Sequence, residues 1–149
     1  MKHIWSVLCG KSIIDSQKNN ISLIDVLEQL NIKLPSEGIA QASEKGITIP
    51  ISFDIVSLWM KDSEEKSEEV MVEIGMNDPE NKELSSYNQS LRIPATHQRV
   101  RSVFHIERLS IFRPGVHKIR VKVKKKQDGR EQIVAELPLD IRFTMEQKS

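Results

Sequence analysis

One cysteine, Cys9, in 149 residues leaves no intrachain disulfide to staple the fold, and such a chain is at home in a reducing compartment. Long hydrophobic runs are also missing, and none approaches the roughly 18 to 20 apolar residues needed to cross a bilayer. The opening MKHIWSVLC has the outline of a bacterial signal leading to a lipidated cysteine. Its apolar run, residues 4–9, is shorter than a signal core of about 7 to 15 residues. Lys11 follows at once, and the bulky Val7 and Leu8 stand where a processing site needs small side chains. These absences point to a cytoplasmic protein with no membrane association.

Chemistry-bearing motifs are equally scarce. There is no GxxxxGK[ST], GxGxxG or GxSxG, so nucleotide-binding and hydrolase readings lack a foothold. His3, His97, His105 and His117 form no HxH or HxxxH pair and CxxC is absent, so no metal or other cofactor is expected. Asp15, Asp25, Asp54 and Asp140 are isolated, and no spaced aspartates outline a calcium loop. Aromatic residues are only 5% of the chain; Trp5 and Trp59 sit in apolar stretches and read as core, which leaves none to stack bases between cations.

Charge of one sign is lacking overall, with a formal net of +1, but not locally. Residues 61–83 are dominated by Asp and Glu, and KDSEEKSEE within them reads as a solvated loop. In residues 92–130 only Glu107 and Asp128 oppose many Lys and Arg.

What the sequence does have is a period of two. In ITIPISFDIVSLWM, Ile47, Ile49, Ile51, Phe53 and Ile55 alternate, then Val56, Leu58 and Met60 take over, which reads as a β-bulge. Val70, Val72, Ile74 and Met76 alternate next, and a looser strand runs through Tyr87, Gln89, Leu91 and Ile93. In VRSVFHIERLSI the phase changes near Glu107 and Arg108, a second expected bulge. Residues 4–14 and the apolar segment from Ile21 form a hairpin around the polar DSQKNN. SLIDVLEQL has helical as well as extended spacing; the extended reading is preferred because Ile32 and Leu34 continue it. PSEGIAQASEKG reads as a surface connection, and residues 146–149 are expected to fray. The sum is a single all-β domain over residues 1–149, an antiparallel β-sandwich of about eight strands, immunoglobulin-like or C2-like, with at most one short helix.

Two features sharpen this. In LSIFRPGVHKIRV, Pro114-Gly115 separates two alternating strands, and His117 stands two residues after the glycine, where sandwich corners place a ring. In HKIRVKVKKK, Lys118, Arg120, Lys122 and Lys124 share one strand face, opposite Ile119, Val121 and Val123. The following strand should bury Ile133, Ala135, Leu137, Leu139, Ile141 and Phe143 in the same core, so facing residues have numbers of even sum. A Gln127-Asp128-Gly129 loop meets that condition, with Gly129 left-handed, and sets Arg120 opposite Glu136. The lysines and Pro138 would then also guard an exposed edge. A second stripe, Arg99, Arg101 and His105, precedes the corner; if the corner joins two sheets, the stripes occupy different outer faces.

The stretches WSVLC..SIID....NNISLIDVLEQL and RIP......R.VFHIERLSIFRPGVHKIRVKV resemble small bacterial β-sandwich proteins of unknown function, which begin with such a hairpin and end on a Pro-Gly-x-His/Tyr corner strand. The resemblance implies a fold and no catalytic residue. The function expected is a non-enzymatic role through contacts with a protein partner or through self-association. Alternatives are weak, salt-sensitive nucleic-acid binding through the basic strand 118–126 and an enzyme built on Cys9 or a histidine; Lys118, Arg120, Lys122, Lys124, Arg99 and Arg101 are the candidate contacts for a partner or for nucleic acid.

Overall fold

The computed structural model describes residues 1–126 and 129–146, so Gln127 and Asp128 of the expected loop, and residues 147–149 of the expected frayed end, lie outside the described residues. The fold is all-β with one short helix. The elements are β1 (Lys2–Ile14), β2 (Ile21–Val26), β3 (Gln29–Leu34), α1 (Ser36–Lys45), β4 (Ile47–Met60), β5 (Glu68–Asn77), β6 (Glu83–Ile93), β7 (Arg99–Ile111), β8 (Gly115–Lys125) and β9 (Glu131–Met145). A first sheet has the order β2-β1-β4-β7, a second β3-β9-β8-β5-β6. Their alternating apolar residues meet in one core, led by Trp59, Phe53 and Ile55 from the first sheet and Val72, Ile74, Ile119, Val121, Leu139 and Ile141 from the second.

Several expectations are corrected. SLIDVLEQL is extended, but it breaks at Leu27-Glu28 into two strands in different sheets, which makes nine strands among the described residues. β3 runs parallel to β9, so the sandwich is not wholly antiparallel. PSEGIAQASEKG contains α1 and is more than a loop. Its signal was faint because only Ala42 is buried; Pro35 precedes it and Gly46, at φ 75°, closes it with an N–H bond to Ala42 O.

β4 keeps one phase, with Ile47, Ile49, Ile51, Phe53, Ile55 and Trp59 on the core side throughout, so the expected switch at Val56 does not occur. The register shift lies earlier, between Pro50 and Phe53, where two residues of β4 face Glu107 alone. The phase change in β7 falls at Glu107 and Arg108, as expected; both are exposed, and the buried set switches from Phe104 and Ile106 to Leu109 and Ile111. In β9 a shift between the partners of Val121 and Lys122 leaves Val134 packed on the core and turns Ile133 outward, against expectation. Among the described residues the ladder runs on to Lys124–Glu131, and Gly129 is left-handed at φ 65°, as expected.

The corner crosses between sheets, from β7 to β8. Gly115 sits at φ 129° and a Cβ there would lie 2.8 Å from Pro79, so only glycine fits. His117 is fully buried, and its Nδ1 donates to Gly115 O at 3.0 Å. Asp78 accepts from Glu80 N and Lys82 N, and Arg113 pairs with Glu80, which clasps the β5–β6 turn against this corner. No helix among the described residues is long and apolar enough to cross a membrane.

Candidate functional site

The four basic residues of β8 project from the outer face of the second sheet, but β8 lies between β5 and β9, so edge protection does not account for them. The true edges there are β3 and β6, and Pro138 stands just before β9 begins to pair with β3. Cross-strand acids instead meet the cations. Arg120 donates to Glu136 at 3.0 Å and to Asn81 at 2.7 Å, and Lys118 lies 3.5 Å from Glu136. The Arg120 contact, followed by the nearby Lys118 charge, holds the Glu136 carboxyl below its ordinary range. Lys122 lies between Glu73 at 3.8 Å and Glu131 at 3.5 Å, and Lys126 meets Glu69 at 2.7 Å. Among the described residues, Lys124 and Lys125 alone of the β8 cations have no ion pair, and the open groove beside them is also lined by Glu73 and Glu131.

Arg99 and Arg101 lie on the other sheet and cannot join β8 in one groove. Arg101 has a structural partner, since its guanidinium donates to Asn19 Oδ1 at 3.2 Å and to Asn19 O. That contact defines a feature the strand pattern does not reveal. Arg101, Leu58 and Trp5 are neighbours across the first sheet, whereas Asn19 lies beyond the far end of β1, about 30 Å away along a straight strand. The β1–β2 hairpin must therefore turn back over the outer face.

Pairing shows where it turns. β1 leaves β4 after Cys9–Asp54, and Gly10 and Asp25 drop out of the β1–β2 ladder, with Asp25 at φ 59°. The resulting arm, residues 10–26, is tied down by Ser12 Oγ donating to Asp54 Oδ2 at 3.1 Å. Cys9 and Val56 are buried under it although they belong to the outer phase of their strands. Because Ser12 faces the sheet, Lys11, Ile13 and Ile24 face away; Ile13 and Ile24 are 45% and 47% exposed, and Val26, beyond the break, is 54% exposed.

At the centre of the same face, His105 Nδ1 bonds Asp54 Oδ1 at 2.6 Å and its Nε2 lies 3.3 Å from Ser52 Oγ. This has the order of a hydroxyl–imidazole–carboxylate triad, and neither the isolated Asp54 nor the basic stripe had signalled it. The Asp54 contact raises the His105 pKa, so the pair is held by a charge-assisted bond, while the Ser52 contact at 3.3 Å is the longer of the two. Its side chain is 54% exposed, with no enclosed cleft around it. Asp54 and His105 form an ion pair whenever the ring is protonated. Cys9 is no better placed: burial, then the Asp54 charge, pushes its thiol pKa up and keeps it protonated. Burial lowers the pKa of His3 and His117, and the His97 ring contacts neighbouring Thr96 Oγ1 at 3.0 Å. Among the described residues no group of three His, Cys, Asp or Glu could hold a metal.

Fold and surface together define the class: a two-sheet β-sandwich that carries a folded-back hairpin arm. No family model and no curated protein matches this chain, so no residue inherits a role from a relative.

Proposed function

We propose that the protein is a non-enzymatic β-sandwich that works through protein contacts, and that its contact surface is the hairpin arm, taken by a second copy of the chain. The observation that carries this reading is the exposed aliphatic patch of the arm, Ile13, Ile24 and Val26, lying beside a free strand edge. Such a patch in water is costly unless something covers it. β2 is an edge strand with no lysine or proline to deter pairing, unlike well-guarded natural edges. A second β2 laid antiparallel across a two-fold axis would satisfy the free backbone groups of residues 21–24 and bring the two Ile24 side chains together in a closed dimer. The left-handed Asp25 ends that pairing, so the contact is short and the dimer weak. A lone buried thiol also fits the reducing cytoplasm.

Sedimentation velocity from about 1 µM to about 1 mM tests the reading. The wild type should pass from monomer to dimer within that range, and Ile24→Lys should remain monomeric while keeping its melting temperature. A wild type that stays monomeric throughout, or an Ile24→Lys variant that dimerises equally well, would refute it.

A further inference from the structure

A cavity of about 180 Å³ lies between the two sheets, on the side where β6 and β7 are edge strands with no ladder between them. Its wall is apolar: Phe53, Ile55, Ile74, Met76, Ile106 and Ile119. Two departures from ideal sandwich packing open it. In β6 the inward phase, fixed by Val72–Gln89, Ile74–Tyr87 and Met76–Ser85 pairing, carries polar residues where a closed core would carry aliphatic ones. In β7 the irregularity at Glu107 and Arg108 disturbs the phase opposite them. The mouth holds Tyr87, Ser85 and Arg108, and the Arg108 guanidinium has neither a hydrogen bond nor an ion pair among the described residues.

We infer that this cavity binds a small carboxylate carrying a compact apolar group, ring-sized or short and branched. An apolar cavity of about 150 Å³ is enough to take up benzene, so this wall accepts a group of that size. The carboxylate then stays at the mouth, where Arg108 can receive it with two parallel N–H bonds. This site is at the opposite edge of the first sheet from β2, so it stands independently of self-association.

Benzoate is the probe and benzyl alcohol its uncharged counterpart, titrated into full-length protein with labelled isoleucine methyl groups. Benzoate should shift the methyl signals of Ile55, Ile74, Ile106 and Ile119, leaving Ile13 and Ile24 on the arm unmoved as internal controls. Benzyl alcohol should bind roughly tenfold more weakly, because it lacks the charge-assisted bond. Arg108→Gln, an exposed substitution, should remove that difference, and Ser85→Phe should fill the mouth and abolish both titrations. No shift of the four cavity methyl groups at about 10 mM benzoate would overturn the inference. So would binding that neither variant alters.

Discussion

At the scale of single residues, the histidines divide by environment. His105 gains a proton-holding partner in Asp54, whereas His117 and His3 are pushed down by burial. Proton-resolved NMR titration should therefore place His105 above the ordinary histidine range and His117 below it; the reverse order would contradict the structure. The signs for stability follow by linkage. The Asp54–His105 contribution is fully present below the unfolded histidine pKa of about 6.5 and fades as pH rises through the raised value in the fold. The His117 contribution is opposite: complete above about 6.5, it is lost as pH falls toward the depressed folded value, because the unfolded chain takes up the proton more readily. Trp59 is fully buried and its Nε1 donates to Ser102 Oγ at 2.8 Å. Trp59→Phe should cost about 2 to 4 kcal/mol in denaturant unfolding, from lost volume and an orphaned buried hydroxyl. The burial of Trp59 was legible from its apolar surroundings, although the expected phase switch at Val56 would have turned it outward. The Ser102 bond was not, because it joins residues 43 apart that only the β4–β7 register brings together.

At the scale of elements, the arm and the corner make separate predictions. Arg101→Ala removes the latch on Asn19 while leaving the core intact, so hydrogen exchange should quicken in β2 and the hairpin turn alone. Cys9 lies beneath the base of the arm, and a thiol reagent should label it faster in this variant than in the wild type. Equal labelling would show that the arm does not lift from Arg101. Gly115→Ala should destabilise by about 2 kcal/mol or more, since alanine meets both a forbidden φ and Pro79. The corner was readable because Pro-Gly followed by a ring two residues later is a local pattern. The arm escaped the sequence because a bent hairpin and a straight one have the same alternation; what bends it is the break at Gly10 and Asp25 and the partners waiting on β4 and β7.

At the scale of the whole molecule, near-neutral charge conceals neutralisation strand by strand. Glu73, Glu131 and Glu136 offset Lys122, Lys118 and Arg120, leaving Lys124 and Lys125 as the β8 cations without an ion pair among the described residues. Any binding of DNA by this face should show a log affinity against log salt slope no steeper than about −2, one counterion for each open cation. A slope near −4 or beyond would mean that the acids give way and that nucleic acid is a genuine partner. Glu73→Gln with Glu131→Gln should steepen the slope by freeing Lys122, which separates surface neutralisation from any effect of the fold.

The amino-acid sequence alone determined the all-β class, the two-residue period of most strands, the corner at Pro114-Gly115 and the opposition of Arg120 to Glu136. Each of these depends on neighbours in the chain or on one hairpin register, and alternation encodes both. Tertiary structure alone decided that β8 is internal, that SLIDVLEQL divides between two sheets, that the arm folds back, and that β6 and β7 leave a cavity between them. Those outcomes depend on which strands become neighbours, and strand order is selected by the packing of the whole core, where residues far apart in sequence compete for the same buried space.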